Sequence, residues 1–402
     1  MSHSSAGFSL PEALENAGVI VCAGTGGVGK TTLAASFALR AACMGRRTLV
    51  LTIDPARRLA DALGVETLSD EPAKIDLQAI DKGLRTTGGS LSAMMLDPKP
   101  TFDRLVDRLT DNAESRQRIL DNRFYQHLSE ALAGSAEYAA MEQVNEAVES
   151  EDYDLVVVDT PPASHALDFL AAPRRLRAFL EGRFVGALLK PTMSAGRFGF
   201  RVFGRPLQRM LGLIERIGGS GFLDDLSEFL SAVSGIADGF LDRALRVEKI
   251  LLGESTRFIL IGGARSGTEP GTLEFLDELE TLDAKLASIV LNRIPPWPLA
   301  ESAEVWLARA DGQEMREDVR RLEEILGSPD ADKSGDQAEA ISRMVRESAI
   351  ARADANRSRS LLAARAVSNA IECHLLDEHP VGIDRLPSLF SLTDPLLKET
   401  SA

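Results

Sequence analysis

The stretch Gly24-Thr25-Gly26-Gly27-Val28-Gly29-Lys30-Thr31-Thr32 limits what this chain can become more than any other. It follows the apolar run Val19 to Ala23, which reads as a buried strand, and leads into Leu33 to Arg40, which reads as a helix. Gly24, Gly29, Lys30 and Thr31 fit the G-x-x-x-x-G-K-[ST] phosphate loop, and the flanking strand and helix are the context that motif requires. Glycines let the backbone curl so that successive N–H groups point at phosphates, while the positive end of the helix and the Lys30 ammonium add attraction. Gly26, Gly27, Val28, Gly29, Lys30, Thr31 and Thr32 are therefore the candidate nucleotide-binding residues, and the Thr31 hydroxyl is the candidate ligand of Mg²⁺.

The expected fold is that of a P-loop NTPase, α/β with a mostly parallel sheet flanked by helices. Thr48 to Ile53 reads as a second buried strand, which makes a βαβ unit with the first. Ile75 to Ile80 and Leu91 to Leu96 are further strand candidates, and residues 101 to 150 have helical period. Leu155-Val156-Val157-Val158-Asp159 is an unbroken apolar run ending in a carboxylate, as expected of a strand buried on both faces. Phe258 to Ile261 and Ser288 to Leu291 repeat the pattern after an interruption of roughly ninety residues, too long for a plain loop. Beyond them, Glu314 to Leu326 reads as a helix, Gly327 to Gln337 as a flexible loop and Ala340 to Asn369 as a further helix.

The interruption has its own composition. Between Arg174 and Arg216 lie ten basic residues against two acidic ones, mixed with Phe184, Met193, Phe198, Phe203, Met210 and with Gly196, Gly199 and Gly204. Such a mixture suits an adaptable surface for an apolar client or an anionic membrane, and equally a helical cap whose apolar face packs on the domain. The expected organisation is a core over 10–172, a helical insertion over 173–250 that is the candidate client-binding subdomain, and the rest of the core with C-terminal helices over 251–402.

A net charge of −15 over 402 residues argues against a nucleic-acid binder, which carries a basic footprint. Cys22, Cys43 and Cys373 form no C-x-x-C pair, so neither a disulfide framework nor a cysteine zinc site is indicated. Neither a leader-like start nor a run of membrane-spanning length is present, which places the protein in the cytoplasm by expectation. Phosphate chemistry needs a magnesium helper and a group that orients water, at the carboxyl ends of strands beside the loop. Asp159 suits the first and Asp54 the second, although either carboxylate also suits a cap on the helix that follows. After the late strand the chain reads Asn292-Arg293-Ile294-Pro295, without the aspartate that pairs with guanine in guanine-specific relatives. Asn292 offers an amide donor and acceptor to adenine, so ATP is the expected nucleotide.

Four segments together resemble the P-loop, switch I, switch II and adenine loop of the ArsA family. They are the glycine loop, Thr52-Ile53-Asp54-Pro55-Ala56, Asp159-Thr160-Pro161-Pro162-Ala163-Ser164-His165 and Leu291-Asn292-Arg293. That family joins the arsenite-pump ATPase with the ATPase that delivers tail-anchored membrane proteins. Leu91 to Pro98 and His165 to Leu170 look like its bacterial branch. The resemblance implies an ATPase that uses ATP and Mg²⁺, with Asp54 acting on the hydrolytic water, Lys30 and Thr31 on phosphate and Mg²⁺, and Asn292 on adenine. It also implies a face-to-face homodimer, or a heterodimer with a related ATPase. Thr25 stands where family members carry a second lysine that reaches across the dimer, and the zinc-bridging and metalloid-binding cysteines are absent. The leading expectation is an ATPase that couples nucleotide state to an apolar client. The alternatives are a regulatory switch, a subunit of a heterodimeric ATPase with little turnover, and, last, the energising subunit of an anion pump.

Overall fold

The computed structural model describes residues 9–54, 56–77, 88–110, 112–122, 125–126, 135–161, 236–263, 269–297, 299–310, 331–366, 371–378 and 386–397. Among the described residues eight strands form one sheet in the order β3-β4-β2-β5-β1-β6-β7-β8. They are β1 Val19–Gly24, β2 Arg47–Thr52, β3 Ala73–Ile75, β4 Ser90–Met95, β5 Leu155–Asp159, β6 Thr256–Gly263, β7 Leu286–Ile294 and β8 Glu372–Asp377. Every neighbouring pair is parallel except β3 and β4, which run antiparallel at the edge. The expected α/β fold with a mostly parallel sheet is thus the observed one.

Alternation along each strand divides the core between the two faces of the sheet. Ile20, Cys22, Val50, Val157, Ile259 and Val290 pack on one face against helices α1 Leu10–Asn16, α2 Lys30–Cys43 and α3 Arg58–Leu63. Val19, Val21, Leu49, Leu51, Val156, Val158, Leu260 and Ile289 face the other way. There they meet α6 Ser135–Glu149, α7 Ala237–Leu251, α8 Glu269–Thr281 and α10 Ala331–Ala366. The helices α4 Pro98–Leu109, α5 Ala113–Asp121 and α9 Ala303–Ala310 complete that side, and α11 Leu386–Ser391 with α12 Asp394–Leu397 close the first. A strand enclosed by helices on both faces keeps no polar side, which is why β1 and β5 are buried at every residue.

Local chemistry sets several element ends. Ser9 caps α1 in a reciprocal capping box with Glu12, and Pro11 sits in its first turn, where a missing N–H is harmless. Three expectations change. The strand expected at 75–80 is the short β3, whose described residues end it at Ile75, and 78–87 lie outside the described residues. The loop expected at 327–337 is helical from Ala331, because polarity alone does not break a helix and this stretch holds no proline after Pro329. The chain also adds β8 beside β7, where half-exposed side chains hide an edge strand from a search for apolar runs. The helix expected at 314–326 lies outside the described residues. Among the described residues no helix is long and apolar enough to cross a membrane.

Candidate functional site

Two of the loop glycines are forced by close approach as well as by backbone angle. Gly24 ends β1 at φ 154°, and a Cβ there would lie 1.9 Å from the Ile261 carbonyl oxygen of the paired strand β6. Gly29 adopts φ 93° just before α2, and a Cβ there would come within 2.5 Å of the Asn292 side-chain nitrogen. No side chain caps α2, so its first-turn N–H groups have no side-chain partner and offer themselves to an anion. Lys30, in that first turn, is buried and donates from Nζ to the Thr25 carbonyl at 2.9 Å, folding its ammonium back over the loop. Burial pushes its pKa down, and the Asp159 and Asp54 carboxylates nearby oppose that shift. Gly26 and Gly27 are exposed at the tip of the loop, and Thr25, Thr31 and Thr32 are half-buried.

The two candidate carboxylates sit on neighbouring strands, β2 and β5, on one side of β1. Asp159 is fully buried, and its Oδ2 accepts from the Thr52 hydroxyl at 2.8 Å. Its Oδ1 is buried and has no hydrogen-bond partner among the described residues. The Thr31 hydroxyl also stabilises the carboxylate. Burial pushes the Asp159 pKa up from 3.8 to about 6, against the pull of Thr31, Thr52 and Lys30. An orphaned carboxylate oxygen in a closed site is chemically suited to a small hard cation or its bound water. Asp54 is arranged differently. Its Oδ1 accepts from the Ala56 N–H at 2.9 Å, and its Oδ2 pairs with Arg58 at 2.8 Å. The helix cap anticipated for this carboxylate is not formed: the N-cap of α3 is Arg57, no side chain bonds there, and the Ala56 N–H precedes the helix, while Arg58 occupies the second oxygen of Asp54.

Thr52 joins the two, a role that its sequence position did not disclose. Its hydroxyl donates to Asp159 and accepts from the Asp54 N–H at 3.2 Å, and in the β2–β5 register Thr52 lies opposite Asp159. A polar residue at a strand end, two before a carboxylate, was the available signal. Thr160 likewise donates to the Cys22 carbonyl at 2.8 Å, tying the end of β5 to β1.

On the other side of β1, Asn292 reaches under the loop from the end of β7. Its amide nitrogen donates to the Val28 carbonyl at 2.8 Å, and its carbonyl oxygen accepts from the Arg293 N–H at 2.8 Å. The side chain is buried, so one N–H and Oδ1 are already committed to protein partners. Arg293, at φ 59°, donates from Nη1 to the Gly27 carbonyl at 2.8 Å. Thr52, Asp54 and Asp159 thus converge on one flank of Lys30 and Thr31, with Asn292 and Arg293 on the other. Arg57 donates to the Glu66 carbonyl, whereas Arg58 pairs with Asp54. His165 and the whole Arg174 to Arg216 stretch lie outside the described residues. Among the described residues no cluster of three His, Cys, Asp or Glu side chains is placed to hold a metal ion.

A parallel sheet with a phosphate loop at the end of its central strand, carboxylates at the ends of two neighbours and a clamp from the far side defines a P-loop nucleotide-binding protein of the α/β class. The sequence pattern of the ArsA ATPases, described as anion-transporting ATPases, matches residues 17–314, and the chain belongs to that family. It is 34% identical over 180 residues to the ATPase GET3 of Malassezia globosa, covering 44% of this chain and 50% of the relative. It is 36% identical over 187 residues to an uncharacterized protein of Streptomyces coelicolor, 46% of this chain and 43% of the relative. The ATPase get3 of Aspergillus terreus matches at 27% over 284 residues, 68% of this chain and 72% of the relative. The chain spans about half the length of the first two of these. The resemblance of Leu91 to Pro98 and His165 to Leu170 to the bacterial branch does not hold as an assignment. The named ATPases among these relatives are fungal GET3 proteins, and the likeness lies on that side of the family. Short segments cannot separate branches that share the same loops, whereas matches over hundreds of residues weigh the whole core.

Proposed function

We propose that the chain binds and hydrolyses ATP with Mg²⁺, and that nucleotide state governs its hold on an apolar client. The observation that carries this reading is the buried Oδ1 of Asp159, which has no hydrogen-bond partner among the described residues and lies beside Thr31 and Lys30. The N–H groups of Gly26 to Thr32 would cradle the phosphates, and Lys30 would leave the Thr25 carbonyl for a phosphate oxygen. Thr31 and Asp159 would hold Mg²⁺, which supplies neutralising charge at the phosphate oxygens. Asp54 would orient and deprotonate the attacking water once Arg58 releases Oδ2, a concession favoured by the exposure of that ion pair. Asn292 would hold the loop and offer its second N–H to adenine. The family membership supports ATPase chemistry in general, and the basic, apolar composition of 174–216 supports an apolar client or membrane surface as partner. A dimer of this chain, or with a related ATPase, in the cytoplasm is the setting that fits.

A second reading, a nucleotide-gated switch with little turnover, is favoured by one observation: both oxygens of Asp54 are already engaged, by Ala56 and Arg58. One experiment separates them. Turnover is measured for the purified chain and for Asp54→Asn, with sizing in ATP and in ADP. The carrier reading expects turnover that falls by about 100-fold or more in the variant, the scale of a lost general base, with an ATP-stabilised dimer. ATP binding without turnover in the unaltered chain would leave the switch.

A further inference from the structure

Behind Thr52, away from the phosphate loop, lies a cavity of about 190 Å³ that no part of the nucleotide reading uses. The short helix α3 and the turn before it present Ala60 and Ala56 to this space, and side chains that end in one methyl group leave it unfilled. Leu59, Leu68 and Met95 complete apolar walls. Thr52 belongs to the wall as well; its hydroxyl is committed to Asp159 and to the Asp54 N–H, which leaves its methyl group for the cavity. Thr52, Leu59 and Ala60 are buried, so the space reaches into the core, whereas Arg57 and Thr67 are exposed and mark its mouth. None of Gly24 to Thr32 lines it.

Walls and mouth ask for different chemistry. An apolar cavity of about 150 Å³ holds one benzene ring, so the space here takes a ring and little more. Met95 favours a ring over an aliphatic chain, because a thioether sulfur packs well on an aromatic edge. At the mouth, the Arg57 guanidinium donates to the Glu66 carbonyl, and among the described residues no carboxylate pairs with it. That bond holds the planar group in place and leaves most of its N–H donors for an acceptor. A carboxylate is the group that such a fork matches, through two parallel hydrogen bonds. Thr67 adds a hydroxyl on the same rim.

We propose that this cavity is a second ligand site, which takes a small aryl carboxylate with its ring between Ala60 and Met95 and its carboxylate on Arg57. The test is calorimetric titration of the full chain with phenylacetate, with benzyl alcohol, which keeps the ring without the charge, and with acetate, which keeps the charge without the ring. The unaltered protein, Arg57→Gln and Ala60→Leu are compared. Neither nucleotide nor Mg²⁺ is present, so failure of the ATPase reading leaves the result unaffected. The unaltered chain is expected to bind phenylacetate with a dissociation constant of about 1 mM or below, the scale for about ten non-hydrogen atoms. Benzyl alcohol and acetate are each expected to bind about tenfold more weakly or worse. Arg57→Gln is expected to remove the advantage of phenylacetate over benzyl alcohol, and Ala60→Leu, which fills the cavity, to abolish both. A thermal melt checks that Ala60→Leu folds; Arg57→Gln changes an exposed side chain and decides the question even if it does not. Saturation only above about 10 mM in the unaltered chain would overturn the site. So would phenylacetate binding that Arg57→Gln leaves unchanged, or that a folded Ala60→Leu leaves unchanged, since the ligand would then lie elsewhere on the surface.

Discussion

The two flanks of the phosphate loop are built on opposite principles. On the β2–β5 flank, charge is buried and left short of partners: Asp159 has an orphaned oxygen and a pKa raised by burial, and it shares Thr52 with the backbone of Asp54. On the β7 flank the polar side chains are tied to the loop, because Asn292 and Arg293 together take the carbonyls of Val28 and Gly27. One side stores unfavourable electrostatics that a cation would relieve; the other holds the loop in shape. Substitutions on the first flank should therefore trade function for stability, and those on the second should lose both together.

The largest contrast is expected at Asp159→Asn. The neutral amide removes a buried charge, so the free protein gains stability at neutral pH while Mg²⁺-dependent turnover is lost. The sign follows from the raised pKa. Below the ordinary value of 3.8 the carboxyl is neutral folded and unfolded, and the variant should match the parent. Between about pH 4 and pH 6 the unfolded chain gives up its proton first, so the parent falls behind as pH rises. Above about pH 6 the gap is complete, at most about 3 kcal/mol for a shift of this size. Denaturant melts of both proteins from pH 4 to pH 8 without Mg²⁺ read this directly. A variant less stable than its parent at pH 8 would mean that the carboxylate is satisfied in the free state and that the contrast between flanks is misdrawn.

Asn292→Ala tests the other flank. Removing the amide leaves the Val28 carbonyl and the Arg293 N–H without partners in a buried place, which costs about 1–3 kcal/mol. Here stability and ATP affinity should fall together, the affinity by about tenfold, with turnover at saturating ATP little changed. Thermal melts and titrations on the same preparation decide it. A loss of affinity without a loss of stability would turn the clamp into a direct nucleotide contact.

How far these flanks were legible in sequence depended on the range of the interaction. The motif and the apolar runs Val19 to Ala23 and Leu155 to Val158 gave the central strands, because strands covered on both faces carry little but apolar residues. Asp54 and Asp159 were readable as strand-end carboxylates. Their partners were not, since Thr52 meets Asp159 through strand register and Arg293 meets Gly27 across 266 residues of chain. The edge strand β8 and the early start of α10 escaped because half-exposed and polar segments have no apolar signature. The bacterial-branch resemblance failed because it rested on two short segments, whereas the matches to the fungal GET3 proteins extend over 180 residues and more.

The smallest effect is expected at Thr52, and it asks whether the two carboxylates act as one device. Thr52→Val keeps the shape of the side chain and removes the hydroxyl, leaving Asp159 Oδ2 and the Asp54 N–H without their shared partner. Two weakened contacts of this kind amount to about 1–2 kcal/mol, or a change of roughly fivefold to thirtyfold in the quantities they support. If Thr52 couples the flank, the Mg²⁺ concentration for half-maximal turnover and the turnover itself should both worsen, and Thr52→Ser, which restores the hydroxyl, should recover both. A change in the Mg²⁺ requirement alone would mean that Thr52 serves Asp159 and that Asp54 is held well enough by Ala56 and Arg58. The β2–β5 flank would then be two independent carboxylates, and its contrast with the interlocked clamp of Asn292 and Arg293 would sharpen.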